Sequence, residues 1–183
     1  MTLVRLVRHG RAEAGWDAHV DPDLDEFGWD QARALAVRLA PLGPLEVLTS
    51  PLQRCVSTAE PLCVAWGIEA EVTDAVAEIP SPEGVPQSER VAWLRAAMTG
   101  TWADLGPRYT SFRNGVVDRV RRCERDTIVF SHFVAINAVI GACLDDDRLV
   151  IRSLDNTSVT TVEVVDGVLR LVEGGVEADT LIR

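Results

Sequence analysis

Residues 2–10 read TLVRLVRHG, and the fold is decided there. Apolar and β-branched residues broken by Arg5 and Arg8 read as a strand, and Gly10 ends it in a tight turn. A polar loop rich in Asp and Pro follows. Residues 28–40 then place Ala32, Leu35, Ala36 and Leu39 on one helical face and stop before Pro41 and Gly43. The opening unit is therefore strand, loop, helix.

The same alternation continues. Leu45–Thr49 is a short apolar strand, and Ser50-Pro51 carries N-cap and N1 chemistry for a helix to about Trp66. Ile68–Val72 reads as a third strand, and residues 79–86, IPSPEGVP, as a loop. Helical periodicity returns over about Ser88–Met98 and Leu105–Cys123. Thr127–Ser131 is a compact strand with His132 directly after it, and Phe133–Cys143 is a buried helix. Ser158–Val165 and Val168–Val172, joined by Asp166-Gly167, form a closing hairpin. Strands that alternate with helices predict an α/β sandwich with a mainly parallel sheet, made mixed by the hairpin. At 183 residues the chain is expected to be one domain, 1–183.

Composition excludes several classes. The chain is 47% hydrophobic and 25% charged, and no apolar run is long enough to span a bilayer. The N-terminus lacks the basic, hydrophobic and cleavage regions of a secretory signal, so a cytoplasmic location is expected. Cys55, Cys63, Cys123 and Cys143 show no CxxC spacing and are expected to be buried free thiols. A net charge of -10, from 28 acidic against 18 basic residues, repels nucleic acid and anionic membranes, so neither is an expected partner. An anionic ligand would need a local basic pocket.

Three polar clusters lie at strand ends: Arg8-His9-Gly10, the segment from Ser50 to Arg54, and Ser131-His132. Loops beyond the carboxyl ends of strands in an open α/β sheet meet in one crevice. Arg8 and Arg54 offer forked donors suited to a phosphoryl group, and the helix starts near Ser50 and His132 favour an anion as well. Nearby cations keep the His9 imidazole neutral, the form in which its nitrogen attacks phosphorus. Gly10 lets the backbone approach the phosphate, while Arg8, Arg54 and His132 hold the developing charge. Arg11 either extends this anion pocket or faces solvent. An alcohol leaving group also needs an acid, for which Glu78 and Glu83 are the candidates. Glu78 is preferred, with partial burial expected to raise its pKa.

At these residues the chain resembles the histidine phosphatase superfamily, also called phosphoglycerate mutase-like. The segments that carry the resemblance are LVRHGRAEA, LDEFGWDQARALA, TSPLQRCVSTAEPL, AVAEIPSPEG and VFSHFVAINAVIG, with NTSVTTVEVVDG similar to the family's last hairpin. The resemblance implies a three-layer α/β/α sandwich with a small loop and helix insertion at about 74–104 over the active site. It implies that His9 carries the phosphoryl group, that Arg8, Arg54 and His132 bind it, and that Glu78 donates the proton. It implies neither a metal nor an organic cofactor, and two arginines beside His9 and His132 would repel a metal ion.

The expected activity is hydrolysis of a phosphomonoester through a phosphohistidine, acting on a small phosphorylated metabolite or phosphate anion. A mutase-like phosphotransferase and a non-catalytic phospho-ligand binding protein are the alternatives. Gly15 stands where mutases of the family carry an Asn, and the span from Arg54 to His132 is shorter than theirs, which disfavours the mutase. Trp93 and Trp102 are expected to pack, His19 to sit in a loop, and Asp145-Asp146-Asp147 to form a solvated turn without a metal.

Overall fold

The computed structural model describes residues 1–15 and 17–178; the expected domain boundary at 183 lies outside them. Six strands form one sheet: β1 (Thr2–Arg8), β2 (Glu46–Thr49), β3 (Glu71–Val72), β4 (Thr127–Ser131), β5 (Val159–Val165) and β6 (Val168–Glu173). Their order is β3-β2-β4-β1-β5-β6. The first four pair in parallel, and β5 and β6 continue the sheet antiparallel. The turn of the terminal hairpin holds Asp166 and Gly167 at φ of 51° and 76°, the left-handed pair that a two-residue hairpin loop requires.

Alternation along the strands builds a layer on each face. Val7, Val47, Ile128 and Phe130 point to one side, where they meet Leu35, Ala36 and Leu39 of α1 (Glu26–Leu39) and Cys55, Ala59, Leu62 and Cys63 of α2 (Gln53–Trp66). Val4, Leu6, Leu48 and Val129 point to the other. There they meet Val116, Val117 and Val120 of α5 (Pro107–Arg121) and Ile136, Val139 and Ile140 of α6 (Phe133–Leu144). The result is the three-layer sandwich implied by the sequence, with β4 and β1 at its centre.

Three boundaries differ from expectation. α1 starts two residues earlier than the apolar stripe because the Asp25 carboxylate accepts the Gly28 N–H at 2.7 Å and caps the helix. α2 begins at Gln53, after Leu52, and Ser50-Pro51 does not cap it. The Ser50 hydroxyl is engaged elsewhere, as described below. β3 is only two residues long, because Ile68 and Ala70 pack against the α1–α2 layer instead of pairing along β2.

The segment after β3 contributes two short helices, α3 (Arg90–Ala97) and α4 (Trp102–Leu105). Leu94, Ala97 and Trp102 join the α5–α6 core, and Trp102 is completely buried. The Trp102 N–H donates to the Asp147 carbonyl and the Leu149 N–H to the Gly100 carbonyl. Since α6 starts at the His132 end and runs for 12 residues, about 18 Å, the segment thus descends the flank of the domain. Trp93 packs beside Tyr109 and Trp102 beside Phe112, at ring separations of 5.5 and 6.0 Å.

Candidate active site

β1, β4 and β2 end level with one another, with Arg8 opposite Ser131 and Thr49 opposite Phe130. Backbone bonds extend the register one step further, from the His9 N–H to the Ser131 carbonyl and from the Ser50 N–H to the Phe130 carbonyl. His9, Ser50 and His132 therefore leave the sheet at the same edge. The first turn of α2 adds Arg54, and the loop after β3 adds Glu78. That loop is held by the Ser131 hydroxyl, which donates to the Val76 carbonyl at 2.7 Å.

The side chains close into one group. Arg54 Nε donates to Nε2 of His9 at 3.3 Å, while Arg54 Nη2 lies 3.2 Å from Nδ1 of His132. The two imidazole centroids are 5.3 Å apart, ring edge to ring face. Glu78 Oε2 is 3.6 Å from Arg54 Nη2 and 3.3 Å from His132 Nδ1. Nδ1 of His9 is 2.7 Å from the carbonyl oxygen of Gly10. A carbonyl only accepts, so Nδ1 carries the proton and Nε2 keeps its lone pair.

The strand end that carries His9 is gripped by the loop before β5. Arg8 Nη1 donates to the Leu154 carbonyl at 2.6 Å, and Asn156 Nδ2 donates to the His9 carbonyl at 2.9 Å. The Thr157 N–H donates to the Arg8 carbonyl at 2.9 Å. Thr157 adopts φ of 55°, a left-handed conformation costly for a β-branched residue, so packing imposes the shape of this loop. The Arg8 guanidinium also lies 5.2 Å from the centre of the Phe133 ring.

Burial and charge set the protonation states. Burial first, and then Arg54, His132 and Arg8, push His9 well below its ordinary value, so the ring is neutral. Burial lowers His132 as well, against the opposing pull of Glu78. Burial lowers Arg8 to about 10, which leaves it charged at neutral pH. Glu78 corrects the expectation from sequence. Burial does raise its pKa, but His132 and Arg54 outweigh burial and hold the carboxyl at about 2. Without an anion in the pocket Glu78 is a carboxylate.

The structure brings together Arg8, His9, Arg54, Glu78 and His132. Gly10 adjoins them, its N–H donating to Thr58 Oγ1 at 2.9 Å. A Cβ on Gly10 would lie 2.8 Å from the Gly28 carbonyl oxygen, so the close approach that demands glycine is to α1. Arg11 is outside the group: it pairs with Asp25 at 2.6 Å and stacks on Phe27 at 4.6 Å. Glu83 is exposed and pairs with Arg108 at 3.1 Å. Asp147 pairs with Arg113 and Asp146 with Arg148, and among the described residues no acidic, His or Cys cluster is arranged to hold a metal.

Sequence reading missed Thr58, Cys55 and Asn156. Thr58 follows Arg54 by one helical turn, which puts both on one face of α2, and its hydroxyl donates to the Arg54 carbonyl at 2.6 Å. Cys55 is buried under His132, with Sγ 3.4 Å from Nε2, and burial pushes the thiol up to about 12. All four cysteines are free.

The chain matches the family model of the histidine phosphatase superfamily (branch 1) over residues 4–176. The bifunctional protein Rv2228c of Mycobacterium tuberculosis (strain ATCC 25618 / H37Rv) is 35% identical over 82 residues, 42% of this chain and 22% of that protein. The chain thus spans about a fifth of the length of the curated relatives that it matches. Among solved structures, Bacillus stearothermophilus YhfR superposes with a TM-score of 0.77 at 22% identity, over 94% of this chain and 96% of that one. The native mycobacterial glucosyl-3-phosphoglycerate phosphatase Rv2419c gives 0.76 at 19% identity, over 97% and 100%. Its complex with inorganic phosphate gives 0.73 at 20%, over 97% and 98%. These structures share the fold of this chain. No helix among the described residues is long and apolar enough to cross a membrane.

Proposed function

The chain belongs to the histidine phosphatase superfamily, branch 1, and from that premise we propose that it hydrolyses phosphomonoesters through a phosphohistidine on His9. One observation carries the reading: His9 gives its Nδ1 proton to the Gly10 carbonyl and turns an unprotonated Nε2 toward Arg54. A buried imidazole locked in that tautomer among cations is an activated nitrogen nucleophile.

In the proposed reaction the phosphoryl dianion binds between Arg8 and Arg54, where charge on its equatorial oxygens is met by forked donors. Nε2 of His9 attacks phosphorus in line, the N–P bond forms, and the bond to the ester oxygen breaks. The leaving oxygen takes a proton from Glu78. Glu78 is a carboxylate in the empty pocket, but a bound dianion adds like charge beside it and occupies Arg54, so it takes up a proton as substrate binds. Glu78 then removes a proton from water, whose oxygen attacks the phosphohistidine. Inorganic phosphate leaves and His9 is free again.

No step calls on a metal, so a chelator should leave turnover unchanged. The substrate is a small phosphorylated metabolite, in keeping with a neighbour of the same fold that is a glucosyl-3-phosphoglycerate phosphatase and one complex of it with inorganic phosphate. The test is His9→Ala with a labelled phosphomonoester. Both phosphate release and acid-labile labelling of the protein should vanish; a variant that still turns over overturns the proposal. Free phosphate in place of a transferred product distinguishes hydrolysis from phosphotransfer.

A further inference from the structure

Ser50 is completely buried, and its hydroxyl lies 2.7 Å from Nε2 of His132. The surroundings of that hydroxyl determine where its proton goes. The Leu52 N–H points at Ser50 Oγ from 3.3 Å and is a donor only. The Cys55 thiol donates to the Ser131 carbonyl at 3.4 Å and also borders Nε2 at 3.4 Å. Among the described contacts of Ser50, the ring nitrogen is the one strong acceptor for its O–H. If His132 were protonated at Nε2, the buried hydroxyl would face an N–H and keep only the Cys55 sulfur, a weak acceptor, for its own proton.

We propose that Ser50 is a positioning residue that fixes His132 as its Nδ1–H tautomer and so aims a neutral N–H donor at the phosphoryl group. On the other side of the ring Nδ1 stands between a donor, Arg54 Nη2 at 3.2 Å, and an acceptor, the Glu78 carboxylate, and the Ser50 hydroxyl breaks the tie. Nδ1 faces Glu78 Oε2 at 3.3 Å, and a lone pair there would oppose a carboxylate. Arg54 Nη2, 3.6 Å from the same oxygen, converges on it as a second donor. Glu78 Oε2 thus marks the point where an anionic oxygen meets both donors. A neutral donor at that point suits a pocket that already holds Arg8 and Arg54, since a third buried cation would carry its own desolvation cost. This also explains why Ser50 does not cap α2.

The inference rests on the phosphatase reading for the identity of the incoming anion, but the tautomer itself can be measured without turnover. In long-range nitrogen–carbon-proton NMR spectra of the full chain, His132 should show its proton on Nδ1. In Ser50→Ala the ring should shift toward the Nε2–H form, and kcat should fall about 10- to 100-fold, as for outer-shell partners that orient a histidine. Ser50→Thr should restore both. An Nε2–H ring in the parent protein, or an unchanged ring spectrum in Ser50→Ala, overturns the proposal. Should Ser50→Ala fail to fold, the parent spectrum alone decides. A parent protein inert toward every ester but with an Nδ1–H ring sinks the phosphatase reading while supporting this one.

Discussion

Glu78→Gln separates two roles that one carboxylate is proposed to play. In the empty pocket Glu78 Oε2 is 3.6 Å from Arg54 Nη2. At an effective dielectric of about 20, that attraction is about 4–5 kcal/mol, and an incoming phosphate dianion must compete with it. Glutamine keeps the volume but not the charge, so it frees Arg54 for the ligand. The Glu78 side chain is 16% exposed and water screens part of the effect, so we expect phosphate and vanadate to bind about 10- to 100-fold tighter, roughly 1.4–2.8 kcal/mol. The same change removes the proposed proton donor. Phosphoryl transfer from alkyl phosphates to His9 should then slow about 10²- to 10⁴-fold, while the first-turnover burst of p-nitrophenolate, which leaves p-nitrophenyl phosphate unprotonated, should change by less than about 3-fold. Isothermal titration with phosphate and single-turnover kinetics on both ester types provide the readout. Equal losses for alkyl and aryl esters, or weaker phosphate binding, would refute the reasoning.

Other outcomes follow from burial and close packing. His9 and His132 are lowered from 6.5 and Glu78 from 4.5, so the unfolded chain binds more protons than the folded one in acid. Their contribution to stability is complete above about pH 6.5 and drains away as the pH falls, at up to about 1.4 kcal/mol per pH unit for each group. Urea unfolding from pH 7.5 to 5 should show this decline, with a shallower slope in His9→Gln; identical slopes would contradict it. In Gly28→Ala the added Cβ would lie 2.1 Å from the Arg11 carbonyl oxygen, forcing α1 away from the end of β1. A loss of about 1–3 kcal/mol or more in denaturant unfolding is expected, together with slower turnover, and a neutral result would show that the backbone there can yield.

Much of this was legible because periodicity is local. The alternation that sets Val4 and Leu6 on one face of β1 and Val7 on the other, and the stripe Ala32, Leu35, Ala36 and Leu39, gave buried faces that the structure retains. The convergence of Arg8, His9, Arg54 and His132 was legible too, since parallel strands must present their carboxyl ends together. What escaped depended on partners distant in sequence. Ser50 reads as a helix cap until His132, 82 positions away, is seen to hold its hydroxyl. Burial alone gave the wrong direction for Glu78, because the effect of Arg54 and His132 needs their distances. Arg11 looked like a pocket residue by adjacency, yet Asp25 and Phe27 hold it elsewhere. Nothing in the sequence announced the left-handed turn at Thr157 or the grip of Asn156 on His9.

The strand order carries a consequence for how the protein acquires its reactivity. β1 emerges first in synthesis, yet its neighbours in the sheet are β4 and β5, which begin at Thr127 and Val159. Pairings so distant along the chain close slowly, and they close after the rest is made. Until then His9 has neither Asn156 nor His132 beside it. In the proposed reaction the nucleophile is thus armed only once β4 and the loop before β5 have joined β1.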